Sequence, residues 1–470
     1  MSAPEESGES FRDRLATIDK RGRRLWVYPA QPKGRFYTAR TVVSILLLAF
    51  LFGAPFVRLG GNPLVQFDII NRKFFIFGMI FWPQDIYIFP VGLITFVVFV
   101  ILFTVAFGRL FCGWVCPQTV FMEMVFRRVE YFIEGNRHEQ RALTHSPWTI
   151  AKLFKRVLKH SVFFGLSFLV GNILLAFIIG TDALWRIVTD PPSEHLTGLG
   201  FMMLFSLIFY FIFARFREQA CTLVCPYGRL QSVLLDSHST VIAYDFKRGE
   251  PRGTVKRGED MTNRGHCIDC NACVIVCPTG IDIRNGTQLE CVNCAACIDA
   301  CDGIMERMHL PRGLVRYASM QGIADKTGFR MTARIVTYLI AFLVLLTVFV
   351  TLLIARDTVE TTILRAPGSL YEELTDGTIR NLYTVRIVNE SAEEVTVSLK
   401  LMESFGSLDM VGGALTIAAN SSAQTAFVVA IPRERLYTPS TSVRIGVFSG
   451  EEKIDELRTN FSSPGRKGNK

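Results

Sequence analysis

The chain has 470 residues, half of them apolar, with a mean hydropathy of +0.30 and a formal net charge of +9. It is too long and too apolar for one soluble domain. The positive charge is gathered in particular loops, which argues for membrane topology and against a nucleic-acid partner.

Residues 1–40 form a polar arm that carries Arg21, Arg23, Arg24, Lys33, Arg35 and Arg40. It is long for the n-region of a signal peptide, and the apolar run behind it lacks a small-x-small cleavage pattern. An uncleaved first span is therefore expected near Thr41–Val57, with Pro55 ending or kinking it. Further spans are expected near Ile86–Phe107, Ser161–Gly180, Leu196–Ala214 and Ile335–Ala355, each close to the roughly 17–25 residues that cross the hydrocarbon. The organisation is then an arm at 1–40, a four-helix membrane region at 41–214 with a loop at 108–160, a large loop at 215–334, a fifth span at 335–355 and an outer segment at 356–470. The arm and both long loops are basic, whereas the connections 58–85 and 181–195 carry few cations. The positive-inside rule places the N-terminus and both long loops in the cytoplasm. Five spans then put the C-terminal segment in the periplasm of a bacterium.

The loop 108–160 opens on Cys112-x3-Cys116-Pro117, and the loop 215–334 opens on Cys221-x3-Cys225-Pro226. A pair of spans ending in the same motif thus occurs twice. On a helix, positions i and i+4 share a face, and each proline suits the first turn of a following helix. If the repeats pack together, Cys112, Cys116, Cys221 and Cys225 form one further metal or cluster site; ordinary reduced thiols in a packing motif are the alternative. Pro117–Glu134 reads as an amphipathic helix lying on the membrane surface.

Within the second loop, at about 258–310, lies a cysteine-rich segment. Cys267, Cys270, Cys273 and Cys277-Pro278 have the C-x2-C-x2-C-x3-C-P spacing of bacterial ferredoxins, and Cys291, Cys294, Cys297 and Cys301 repeat it with Asp302 in place of the proline. Structural zinc takes four ligands in knuckles, and a reducing compartment disfavours disulfides. Two [4Fe–4S] clusters are the expected cofactors. Because the fourth cysteine of each run serves the other cluster in two-cluster ferredoxins, one cluster is assigned to Cys267, Cys270, Cys273 and Cys301, and the other to Cys291, Cys294, Cys297 and Cys277.

From Thr361 onward short alternating runs such as TVRIVN, EVTVSLKL, QTAFVVAI and SVRIGVF are separated by turn residues, among them Asn389-Glu390-Ser391 and Gly412-Gly413. They predict a cysteine-free, immunoglobulin-like β-sandwich with a disordered tail from Ser462. The fold class is thus an α-helical membrane protein with a ferredoxin-like insertion and a C-terminal all-β domain. No histidine pair lies within the spans, and neither a G-x-G-x-x-G nor a P-loop is present. Electrons must arrive from another protein or from quinol. Asp85, Asp182, Asp190 and Glu194 read as solvated loop residues, with attraction of a cation as the alternative, and Trp82-Pro83-Gln84-Asp85 as an interfacial anchor, with the lining of a site as its alternative.

These features together resemble the cytochrome c oxidase accessory protein family, CcoG (also called FixG or RdxA). The likeness extends over roughly residues 25–465 and is sharpest at FCGWVCPQTVFMEMVFRRVEYFIEG, ACTLVCPYGRLQ and GHCIDCNACVIVCPTGIDIR. Asp302 departs from the usual proline, which would loosen the turn after Cys301. The resemblance implies an inner-membrane protein that helps mature the cbb3-type cytochrome c oxidase by reducing Cu(II) to Cu(I), with copper as substrate. It implies oxidase assembly factors or copper carriers as partners, beside an unidentified electron donor. A quinol dehydrogenase feeding a periplasmic reductase and a non-catalytic assembly scaffold are the competing readings.

Overall fold

The computed structural model describes residues 17–18, 21, 23–70, 72–82, 85, 87–254, 264–355, 359–368, 370–389, 393–419 and 421–464. Two compact units divide at Val350/Thr351, and each is described by itself.

The first unit contains five helices long and apolar enough to cross a membrane. They are α1 (Arg35–Gly53), α2 (Ile88–Phe107), α3 (Ile150–Ile179), α4 (Leu196–Phe211) and α5 (Ala333–Ile354, its last residues in the second unit). Helix α1 starts at Arg35, earlier than the hydropathy suggests, because a distant carboxylate caps it. The Asp299 carboxylate accepts from the backbone N–H groups of Phe36 at 3.1 Å and Tyr37 at 2.7 Å, two of the donors that an isolated helix start leaves unpaired. Gly34 is required there, since a Cβ would overlap the Asp299 side chain. Helix α3 likewise begins at Ile150 rather than Ser161. Thr149 caps it by accepting from Lys152 N–H at 3.2 Å, and its first turns carry the basic residues of the loop.

Between α1 and α2 the chain forms a small antiparallel sheet of β1 (Val65–Asp68), β2 (Lys73–Ile76) and β3 (Met79–Phe81). Trp82 follows it and is buried, with the Lys73 ammonium 4.5 Å over its ring. The reading of Trp82 as an interfacial anchor is thus wrong. Pro83 and Gln84 lie outside the described residues. Asp85 is also buried, its carboxylate accepting from Trp82 N–H at 3.0 Å, and Asp182 pairs with Arg58 at 2.5 Å.

Pro117–Glu134 is helical, but it does not lie on a surface. Its middle, Phe121–Phe126, is a widened π-type turn, and Phe121, Met122, Met124 and Phe126 are buried. Phe126 stacks on Phe213 at 4.6 Å and meets Phe163 edge-on at 4.8 Å. The opposite face is charged and also buried. Glu130 accepts from Arg217 at 2.9 Å and faces Lys159 at 3.5 Å, Lys159 reaches Glu134 at 3.0 Å, and Arg127 pairs with Glu123 at 3.0 Å. Amphipathicity here serves two protein faces, one aromatic and one ionic, with Phe132 left exposed outside both.

The cysteine-rich insertion is closed by an antiparallel pair, β4 (Val241–Tyr244) against β5 (Val315–Ala318). Its two short helices, Ala272–Ile275 and Ala296–Arg307, each follow a residue with left-handed backbone, Asn271 (φ 56°) and Ala295 (φ 63°). Two residues earlier stand Asp269 (φ 52°) and Asn293 (φ 54°). Positive φ is uncommon outside glycine. Its recurrence at equivalent positions marks two copies of one loop. Ala296–Arg307 runs straight through Cys301 and Asp302, so there is no turn there for Asp302 to loosen. Asp302 instead accepts from Gly313 N–H at 2.8 Å and from Arg35 at 3.3 Å.

The second unit is a sandwich of two antiparallel sheets. One is ordered β9 (Ser407–Met410), β11 (Ser421–Pro432), β7 (Thr378–Asn389), β6 (Val359–Arg365). The other is β10 (Leu415–Ile417), β8 (Val395–Leu401), β12 (Ser440–Ser449), β13 (Glu452–Ser462). Alternate residues point inward, as a half-buried strand requires: Ile379, Tyr383, Val385 and Ile387 on β7 lie beside Phe427, Val429 and Ile431 on β11 and share one core with Val443, Ile445 and Val447 of the other sheet. Order continues past Ser462, since Ser463 N–H donates to Pro439 O at 2.9 Å; residues 465–470 lie outside the described residues.

Candidate metal centre

The insertion brings the eight ferredoxin-type cysteines into two cavities. One is lined by Cys267, Cys270, Cys273 and Cys301, with Tyr244, Ile268, Arg284 and Leu314 among its walls. The other is lined by Cys277, Cys291, Cys294 and Cys297, with Cys273, which lines both cavities, and Ile242, Ile281, Ile283 and Val292 around it. Apart from the shared Cys273, each cavity therefore joins cysteines of one run to the fourth cysteine of the other. Two left-handed loops wrap the cavities, and the walls are mostly aliphatic.

Burial sets the state of these thiols without metal. Desolvation pushes Cys273, Cys291 and Cys301 up to about 12 and Cys294 to about 11, and raises Cys277 and Cys297. Neighbouring thiols add to the rise in most of these six, so burial there favours the uncharged thiol and a bound cation would compensate the thiolate charge. Soft thiolates in such numbers suit iron–sulfur clusters. Among the described residues no three thiols come within 4.8 Å of one another, the spacing that marks the group of Asp190, Glu194 and His195, of which only Glu194 is exposed. Thiolates around one zinc ion stand only about 3.8 Å apart, so the sets fit a polynuclear cluster better than a single ion.

Cys270 is the exposed thiol of the first set, whereas Cys294 and Cys297 are buried. Beside the first cavity, Arg284 is held by Asp269, by Asn271 at 2.6 Å and by Asp282 at 2.6 Å. His266 stands next to Cys267, and its ring Nδ1 is buried without a hydrogen-bond partner.

The twin motifs also come together. The Cys112 thiol lies under the electrostatic influence of Cys116 and Cys225, and that of Cys221 under Cys116, Cys112 and Cys225; Arg109 acts on both. Burial raises Cys112 to about 11 and Cys221 to about 12, with the neighbouring thiols adding to the rise and Arg109 opposing it. Each motif is built the same way. Four residues before its first cysteine the chain turns at positive φ, Gly108 at 60° and Arg217 at 52°. An i→i+5 hydrogen bond then closes the turn, Cys116 N–H to Phe111 O and Cys225 N–H to Ala220 O, both at 2.9 Å. A cysteine precedes the proline that starts the next helix. The i, i+4 helix expected from spacing is thus a wider turn. Gly113 packs on the loop of the second cavity, where a Cβ would stand 2.8 Å from the Asn293 carbonyl carbon. Arg109 donates to Leu289 O on the same loop.

Comparison with known proteins agrees with this geometry. Residues 216–320 match a 4Fe-4S dicluster domain, 88–137 a 4Fe-4S binding domain, and 349–464 the Ig-like fold at the C-terminus of FixG. Protein RdxA of Cereibacter sphaeroides is 36% identical over 427 residues, covering 87% of this chain and 89% of its own. The chain belongs to the FixG/RdxA family. The nitrogen fixation protein FixG of Rhizobium meliloti is 31% identical over 95% of this chain and 94% of its own, and Protein RdxB of Cereibacter sphaeroides is 34% identical over 78% and 80%. This FixG-family chain is accordingly a membrane iron–sulfur protein.

Sequence reasoning missed the ionic cluster around Glu130 and the cap supplied by Asp299. It also missed a cavity of about 760 Å³ between α3 and α4, lined by Phe168, Asn172 and Phe205, with Asp190 and His195 3.1 Å apart at its rim. None of these has a local signature, because each joins side chains far apart along the chain.

Proposed function

We propose that this protein is a membrane electron carrier that reduces Cu(II) to Cu(I) for assembly of a cbb3-type cytochrome c oxidase. The carrying observation is the exchange of the fourth thiol between the two runs, which gives each cavity a full cubane donor set. Cys267, Cys270, Cys273 and Cys301 would hold one [4Fe–4S] cluster, and Cys291, Cys294, Cys297 and Cys277 the other. When bound, such clusters supply one-electron carriage at low potential. The chain's own residues keep them dry with Ile242, Ile281, Ile283, Val292 and Leu314, and Cys270 offers the edge by which a soluble donor approaches.

Copper enters through the resemblance to the oxidase accessory proteins, and the chemistry is coherent. Thiolate and thioether carriers select Cu(I), so an oxidised copper supply must gain one electron before delivery. Roughly 0.3–0.5 V of driving force corresponds to about 7–12 kcal/mol per electron. The charge distribution supports a cytoplasmic N-terminus and insertion with a periplasmic sandwich, the arrangement in which the sandwich meets oxidase subunits or copper carriers. Quinol as the electron source is the second reading, favoured by the cavity between α3 and α4. Its nearest lining residue on α4, Phe205, lies about 16 Å along the helix from Phe216, and Cys221 lies beyond that.

A cellular test separates reductase from scaffold. Cells carrying Cys294→Ser should lose cbb3 oxidase activity while keeping the protein in the membrane, and added copper should restore part of it. An oxidase that matures normally with both clusters absent would leave only the scaffold role.

A further inference from the structure

The four thiols of the twin motifs are the largest group of metal-binding side chains that the two ferredoxin-type sets do not use. We propose that Cys112, Cys116, Cys221 and Cys225 together hold a third [4Fe–4S] cluster, seated against the Cys291–Cys294 loop. The inference rests on the reading of the chain as an iron–sulfur electron carrier.

Four observations carry it. Residues 88–137 match a 4Fe-4S binding domain yet contain only two cysteines, Cys112 and Cys116; a cubane needs four thiolates, and the thiols that act on this pair come from Cys221 and Cys225. The thiols are not gathered as around one ion: no three of them lie within 4.8 Å of one another, whereas three thiolates on one ion stand about 3.8 Å apart. The cysteine-to-proline pattern is the closing part of the ferredoxin run, Cys273-x3-Cys277-Pro278, used twice more. Finally, the surroundings suit a cluster. Gly228 N–H points at the Cys225 sulfur at 3.4 Å, and the Cys112 thiol donates to buried Gln231 at 2.9 Å. Hydrogen bonds to sulfur are one of the levers by which proteins set cluster potentials. Arg109 supplies a cation beside four thiolates, and a Cβ at Gly228 would meet its guanidinium at 2.8 Å.

The placement follows from the same contacts. Cys112 belongs to the apolar core that contains Cys294 and Cys297, and a pocket beside Cys221 is walled by Pro278, Thr279 and Val292. A third cluster here would adjoin the buried set and stand where α2 and α4 end. The twin motifs would then be one site divided between two repeats, which explains why neither repeat carries more than two cysteines.

The test counts iron and acid-labile sulfide in the full-length protein purified anaerobically in detergent. The proposal expects about twelve of each per chain, against about eight for two clusters. Cys112→Ser/Cys225→Ser should remove about four of each while the paramagnetic signals of the reduced ferredoxin-type pair persist. Those persisting signals also report that the variant is folded, and Cys116→Ser alone, at a partly exposed position, should give the same loss. Cys297→Ser should lower the count without removing the third signal. About eight iron in the wild type, with the four thiols open to alkylation or holding one copper or zinc ion, overturns the proposal. Absence of ferredoxin-type signals from the wild type would overturn the electron-carrier reading itself, and this inference with it.

Discussion

Glu130 shows what single residues do beneath the metal centre. Burial alone would raise its carboxyl, but the Arg217 guanidinium, its hydrogen bonds, Lys159 and Arg127 hold it down at about 2. A depressed carboxyl contributes stability that is present above its unfolded value, about 4.3, and is lost as pH falls through about 2. The domain should therefore tolerate mild acid and unfold more readily between those values, which a thermal-unfolding series against pH would record. Glu130→Gln should cost about 3–5 kcal/mol, because it leaves the buried Arg217 guanidinium without its carboxylate and Lys159 with Glu134 alone. A neutral result would mean that water already reaches these cations. Arg217 also holds a positive φ of 52° that glycine would adopt freely. Gly113 is the other sensitive position. Gly113→Ala should push the Asn293 backbone away and impair the Cys291 set while sparing Cys267; paired iron and spectral measurements would show one signal lost, and equal loss of both would contradict the contact.

At the scale of elements, the insertion predicts a crossed outcome. Cys277→Ser, although it lies in the first run, should damage the set built on Cys291, Cys294 and Cys297; Cys301→Ser should damage the set built on Cys267, Cys270 and Cys273. Spectra of the reduced variants would reveal which signal goes, and loss confined to each variant's own run would refute the exchange. The spacing of the eight cysteines was readable from the sequence because ligand geometry is local: three thiols within seven residues must wrap one side of a cluster. The alternating strands were readable for a similar reason, since a two-residue period fixes which face is buried. Helix ends were less legible. Hydropathy locates an apolar run, but α1 begins where Asp299, from the insertion, supplies its cap, and α3 continues through Lys152, Lys155, Arg156 and Lys159 because helix formation does not stop at the edge of the hydrocarbon. The helix after Cys116 misled for the same cause: its periodicity was visible, while its partner, an aromatic face from α3 and α4, was not.

For the whole molecule, if the five candidate spans cross a membrane and the cation distribution follows the positive-inside rule, the N-terminus and the C-terminal sandwich lie on opposite sides. A reporter joined at the C-terminus should therefore be active only in the periplasm, and one inserted near Arg252 only in the cytoplasm; the reverse pattern would show that the charge rule fails here. That arrangement would leave the insertion facing reductants inside the cell and the sandwich facing the site of oxidase assembly. The iron–sulfur chemistry is written in the cysteines, whereas the proposed substrate is not, because reduction of Cu(II) would require only a reductant and an accessible edge. Rate is consequently the decisive quantity, since a reaction this favourable also proceeds nonspecifically. The most direct measurement is stopped-flow mixing of the chemically reduced, anaerobic protein with Cu(II) and a Cu(I)-specific chelator. The account predicts that Cu(I) forms in step with bleaching of the cluster absorbance, and that Cys112→Ser/Cys225→Ser slows it while leaving the ferredoxin-type signals intact. Cluster bleaching no faster than with free reductant, or a variant that reduces copper at the wild-type rate, would contradict it.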